Sequence, residues 1–115
     1  MSEFKIERKE ENGAVVLYPY GMLDAHTTPQ MESVFEELIS EGKYKVAVNL
    51  KNLEYISSAG LGIFMAYVET MRENGGDIKF CETPKKIYEV FDLLGFPVLY
   101  EFYETEEEAI NKFNG

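Results

Sequence analysis

The sequence predicts an α/β fold: a mixed, mostly parallel five-stranded sheet with about four helices and the first strand antiparallel at an edge. Three observations predict it. Strand-like apolar runs alternate with segments whose apolar residues recur at helical spacing, which implies parallel pairing with right-handed crossovers. Asn12-Gly13 lies between the first two runs and is a strong hairpin pair, so those two strands should be antiparallel. The 115 residues suit one domain over 1–115, and 45% hydrophobic with 28% charged residues is an ordinary globular composition.

The elements follow in order. Phe4–Lys9 and Ala14–Tyr20 read as the two hairpin strands, the first with one solvated face because Lys5, Glu7 and Lys9 alternate with Phe4, Ile6 and Arg8. "MLDAHTTPQ" turns the chain into a helix. Pro29 suits a first helical position with Thr28 as cap, or Thr27 and Gln30 form a capping box. Met31, Val34, Phe35, Leu38 and Ile39 form its stripe, and Gly42 ends it. Tyr44–Leu50 is nearly all apolar, as a central strand buried on both faces should be. Leu61, Phe64, Met65, Val68 and Met71 mark a second helix, closed by Asn74-Gly75-Gly76. Asp77–Cys81 is a strand. Thr83-Pro84 caps a helix carrying Ile87, Val90, Phe91 and Leu94, with Gly95 at its end. Val98–Tyr103 reads as the fifth strand, and Thr105 with Glu108 makes a capping box for the last helix. Phe35, Leu38, Val46, Val48, Leu61, Met65, Val90 and Phe91 are expected in the core.

Composition excludes several functions. The formal net charge of −10 disfavours nucleic-acid binding and docking on anionic lipid. A basic protein partner is compatible with it, and so is a plain gain in solubility. Cys81 is the only cysteine, which rules out an intrachain disulfide and fits a reducing compartment. The N-terminal "MSEFKIERKEENG" has no apolar signal core, and the apolar runs fall short of the roughly 20 residues needed to cross a bilayer. The expected location is the cytoplasm, away from any membrane.

Few residues suggest chemistry. His26 is the only histidine; Asp24-Ala25-His26 lacks a second histidine or cysteine to complete a metal or acid–base site. Cys81 lies among apolar residues and reads as a small core residue. No nucleophile elbow, phosphate loop or dinucleotide fingerprint is present. No cofactor, metal or catalytic residue is therefore assigned. The acidic run Glu104–Glu108 suits a helix N-terminus, where it meets the positive end of the dipole.

The remaining feature is "LEYISSAGLGIF", where Ser57-Ser58-Ala59-Gly60 separates two apolar runs. It falls at the start of the second helix, at the carboxyl end of the sheet where binding sites of open α/β folds gather. Asp24, after the second strand, shares that end if the strands are neighbours and parallel. The residues alone leave two readings: Ser58 as a helix cap with Gly60 and Gly62 allowing close packing, or a surface that another molecule approaches closely.

These residues resemble a known family. "GMLDAHTTPQ" matches the G-x-L-D-x-x-T of the STAS domain, the module shared by sulfate transporters and anti-sigma factor antagonists. "VNLKNLEYISSAGLGIF" is similar to its strand, serine turn and helix, and "GGDIKFCETPKKIYEVFDLLGF" to its next strand and helix. The likeness spans nearly the whole chain and is greatest to the small stand-alone antagonists. It implies the STAS fold and partner switching. The antagonist binds an anti-sigma factor that is itself a serine kinase and so frees a sigma factor. The kinase phosphorylates the serine at the helix start, here Ser58, and a phosphatase resets it. Asp24, Ser57, Ser58, Ala59 and Gly60 would form the partner face. Two positions depart from the family pattern: Ser57 stands where aspartate is frequent, and Ala59 where serine or threonine follows. The alternatives are a STAS interaction subunit without phosphorylation, in a lipid-transport complex or a stress-signalling scaffold, and a small enzyme using Asp24, His26 and Ser58.

Overall fold

The hairpin at Asn12-Gly13 folds β1 (Lys5–Glu11) onto β2 (Ala14–Leu23) in antiparallel register from Lys5↔Tyr20 to Glu11↔Ala14. The structure is a computed structural model that describes residues 3–114. From β2 onward every pairing is parallel. β3 (Lys45–Asn49) lies between β2 and β5 (Asp77–Cys81), and β6 (Phe102–Tyr103) closes the order β1-β2-β3-β5-β6. A sixth strand, β4 (Leu53–Ile56), pairs with the end of β2 and lies off that path.

α1 (Thr28–Ser40), α2 (Ser58–Glu73), α3 (Lys85–Leu93) and the single turn α4 (Phe96–Leu99) pack on one face of the sheet. α5 (Glu106–Asn114) packs on the other. Alternation along β2 produces this division: Val15 and Leu17 enter the large core, while Val16 joins Ala47, Cys81, Ala109 and Ile110 in the small one. The large core is aromatic at its centre. Phe64 meets Phe80 edge-on at 5.0 Å, and Phe80 stacks on Phe102 at 5.0 Å.

The α/β class, the mostly parallel mixed sheet and the antiparallel edge strand are as the sequence predicts, but there are six strands and five helices instead of five and four. The short Leu53–Ile56 run looks like a connection in isolation. It becomes a strand because β2 is ten residues long and overshoots β3, leaving backbone for another strand to pair with. The expected strand Val98–Tyr103 shrinks to Phe102–Tyr103. Gly95 in the left-handed region and Pro97 in the first helical turn start α4, which takes up Val98 and Leu99.

Six of the eight expected core residues are fully buried, and Val90 packs against the core while partly exposed. Met65 is 58% exposed and belongs to the surface. The buried arc of α2 runs through Gly60, Leu61, Ile63, Phe64 and Met71, and Met65 falls one step past its border. Among the described residues no helix is long and apolar enough to cross a membrane.

Candidate functional site

β2 changes partner along its length. Val15–Leu17 pair with β3, whereas Gly21–Leu23 pair with β4, and the register slips between Gly21 and Met22. Gly21 has φ +92°, a conformation that side-chain-bearing residues rarely adopt, and so makes the bulge. Beyond it Leu23 pairs with Ile56, and the Ser57 N–H donates to the Leu23 carbonyl at 3.0 Å. Asp24 and Ser57 thus leave adjacent parallel strands side by side. The two motifs share one end of the sheet, joined through β4 instead of directly through β3.

The two serines divide the work at the start of α2. Ser57 is extended (φ −98°, ψ 174°), and its Oγ accepts the Gly60 N–H at 3.3 Å. It is the N-cap, a role that the sequence reading gave to Ser58. The reason is the last strand bond: fixing the Ser57 N–H to Leu23 holds that residue extended, as a cap must be. Ser58 is the first helical residue. It is exposed, and its hydroxyl has no hydrogen-bond partner among the described residues.

The small residues also divide. Gly60 is buried, and a Cβ on it would stand 2.6 Å from the Leu23 carbonyl oxygen and 2.9 Å from Ile56 Cγ1. It lets the helix seat on β2 and β4. Ala59 and Gly62 are exposed, and a Cβ on Gly62 would meet open space. Close packing therefore accounts for Gly60, whereas Ala59 and Gly62 leave the surface at the helix start open.

Asp24 shapes the loop before α1. Its Oδ1 accepts the N–H groups of His26 at 2.9 Å and Thr27 at 3.2 Å. Its own N–H donates to Thr27 Oγ1 at 2.8 Å, and that hydroxyl donates to the Met22 carbonyl at 2.8 Å. With its hydroxyl turned back in this way, Thr27 occupies the cap position of α1 without a side-chain cap bond. Neither capping alternative read from the sequence forms.

Other candidates lie apart. His26 is exposed. Cys81 is buried, and burial, with Glu106 and Glu82 nearby, pushes its thiol up to about 12, so it stays protonated and inert. Among the described residues no group of three or more His, Cys, Asp or Glu side chains is placed to hold a metal. The sequence reading missed Met22 and Tyr55, register partners that are 38% and 48% exposed beside the Asp24 loop. Their signal is strand alternation at the β2–β4 ends, legible only once β4 is known to be a strand.

Fold and site together define a small α/β module that presents an open surface at the carboxyl ends of β2 and β4. The STAS domain family model matches residues 5–109, and the chain belongs to that family. Among named relatives, the anti-sigma-B factor antagonist of Staphylococcus epidermidis is 32% identical over 76% of this chain and 81% of its own. The anti-sigma F factor antagonist of Paenibacillus polymyxa is 24% identical over 94% of this chain and 93% of its own. Among solved structures, the unphosphorylated anti-sigma factor antagonist SpoIIAA superposes with a TM-score of 0.82 at 23% identity, over 98% of this chain and 97% of that one. The phosphorylated form of SpoIIAA, from Bacillus, superposes with a TM-score of 0.72 over 96% and 98%.

Proposed function

We propose that this protein is an anti-sigma factor antagonist that binds an anti-sigma factor and frees a sigma factor. The names of its relatives support the reading. In this proposal the partner is a serine kinase that phosphorylates Ser58, and a separate phosphatase removes the group. The antagonist itself catalyses nothing, holds no cofactor and works in the cytoplasm without contacting membrane or nucleic acid. Ser57, Ser58 and Ala59 meet the partner, with Gly60 beneath them and the Asp24 loop alongside.

One observation carries the switch: the exposed Ser58 hydroxyl is unspent while Ser57 holds the cap. An acceptor hydroxyl can then be modified without removing a bond that the fold uses. A phosphate adds roughly −1.5 to −2 charges. At the first position of α2 those charges face the positive end of the helix dipole, so the fold tolerates them. A flush interface does not, because a buried unpaired charge is costly there.

The test is isothermal titration of wild type, Ser58→Ala and Ser58→Asp against the cognate anti-sigma kinase, with Ser57→Ala as control. Ser58→Ala should bind like wild type and resist phosphorylation. Ser58→Asp should fold normally and bind at least tenfold more weakly. Equal affinity for Ser58→Asp and wild type, or phosphate on Ser57 alone, would leave a constitutive STAS interaction subunit of another complex as the reading.

A further inference from the structure

Among the described residues β6 ends the sheet and pairs on one side only, with β5. Its inner edge is used: the Phe80 N–H donates to the Glu101 carbonyl at 2.9 Å, and the Glu82 N–H to the Tyr103 carbonyl at 3.1 Å. Phe80 and Phe102 are register partners. In a parallel ladder the residue opposite a bonded one turns its own N–H and C=O away. The Phe102 backbone therefore points out of the sheet, with no strand beyond it among the described residues.

Two hollows lie along that edge, of about 380 and 330 Å³. They share Tyr88, Phe102 and Tyr103. One extends to Glu82, Thr83 and Glu104, the other to Pro97, Tyr100 and Glu101. Together they make a slot with the Tyr88 ring of α3 on one wall and Tyr103 on the other. The opposite sheet edge is different: β1 displays Lys5, Glu7, Lys9 and Glu11, charges that deter strand addition.

The charged residues that line the slot are acidic, although Lys79 pairs with Glu101 at 2.6 Å and Arg72 lies over the Tyr100 ring at 5.5 Å. Among the described residues no basic side chain lines either hollow. Glu101 accepts from Lys79, and Glu82 accepts the Glu106 N–H of α5. Glu104 is exposed and has no hydrogen bond or ion pair among the described residues. At the same end the Thr83 hydroxyl is shielded from solvent without a partner.

We propose that this slot binds an extended, basic segment of a partner protein by strand addition to β6. The segment's backbone pairs with the outward N–H and C=O of Phe102. Side chains two residues apart enter the two hollows. A Lys or Arg fills the hollow that reaches Glu104, its stem along Tyr88 and Tyr103 and its charge on Glu104. A second copy of this chain is the poorer occupant, since it brings a net charge of −10 to the same carboxylates. The site is separate from the Ser58 face, because β3 and β5 lie between β2 and β6.

The test is selection of a random octapeptide display library on the wild-type protein, followed by amide NMR with the synthesised winner. Enriched peptides should carry Lys or Arg alternating with apolar residues. The winner should shift the Phe102 and Glu104 amides and slow exchange at Phe102. N-methylating its central amide, or the variant Glu104→Lys, should weaken binding at least tenfold, whereas Glu32→Lys on α1 should not. Three results would overturn the proposal: no enrichment over the Tyr88→Ala/Glu104→Lys variant, acidic winners, or shifts that leave Phe102 unmoved. Concentration-dependent Phe102 shifts without peptide would overturn it in favour of self-association.

Discussion

Gly60 lies so close to Leu23 that a Cβ on it would stand 2.6 Å from the Leu23 carbonyl oxygen. The contact is with backbone, so a side chain cannot swing clear. Gly60→Ala should cost about 1–3 kcal/mol as α2 lifts from β2, outweighing the higher helix propensity of alanine. Gly62→Ala, two residues on and facing open space, should gain up to about 1 kcal/mol. Urea melts of the pair separate them. Equal stabilities would disprove the close-approach account.

Ser57→Ala and Ser58→Ala should differ in stability as well as in phosphorylation. The first removes the cap bond to Gly60 and should cost about 1 kcal/mol. The second removes a hydroxyl with no bond to lose and should stay within about 0.5 kcal/mol of wild type. Thermal melts of both variants check the assignment; a larger loss for Ser58→Ala would return the cap to that residue.

Phe91 and Met65 both lie on stripes that the sequence assigns to the core, yet only Phe91 is inside. Phe91 touches Phe80 at 5.0 Å and Phe96 at 5.1 Å between ring centres. Phe91→Ala should cost about 3–5 kcal/mol. Met65→Ala should change stability by no more than about 0.5 kcal/mol. Chemical denaturation decides both.

Tyr67 makes stability depend on alkaline pH. Burial first, then its hydrogen bond to Glu36 at 2.6 Å, pushes its hydroxyl from 10.0 up to about 12 in the fold. A raised pKa means that the fold prefers the protonated phenol. This contribution is complete below pH 10 and disappears as pH rises through about 12. Tyr67→Phe keeps the stack on Phe35 and has no proton to lose. Its urea midpoint should therefore fall less than that of wild type across that window. Identical slopes would place the titration elsewhere.

Local chemistry was legible in the sequence, and reciprocity between distant segments was not. The hairpin needs only Asn12-Gly13, and the Thr105–Glu108 box forms as read, each residue's side chain accepting the other's N–H at 3.2 and 3.1 Å. "LEYISSAGLGIF" announced itself by its small residues and lies at the helix start as expected. β4 stayed hidden because four residues become a strand only beside an overshooting β2. The cap was misassigned by one residue for the same reason, since the Ser57–Leu23 bond is not a property of either segment alone. Met65 was misplaced because helical spacing gives the centre of a buried arc more reliably than its borders.

The change of partner along β2 has a mechanical consequence. Past Gly21 the strand has left both β1, whose pairing ends at Tyr20, and β3, and holds only β4. Ser58 therefore follows a two-stranded extension of the sheet, whose Leu23, Leu53 and Ile56 side chains still pack into the large core. Amides of Leu23, Ile56 and Ser57 should exchange with solvent by small local openings, while those of β3 and β5 wait for the whole molecule to unfold.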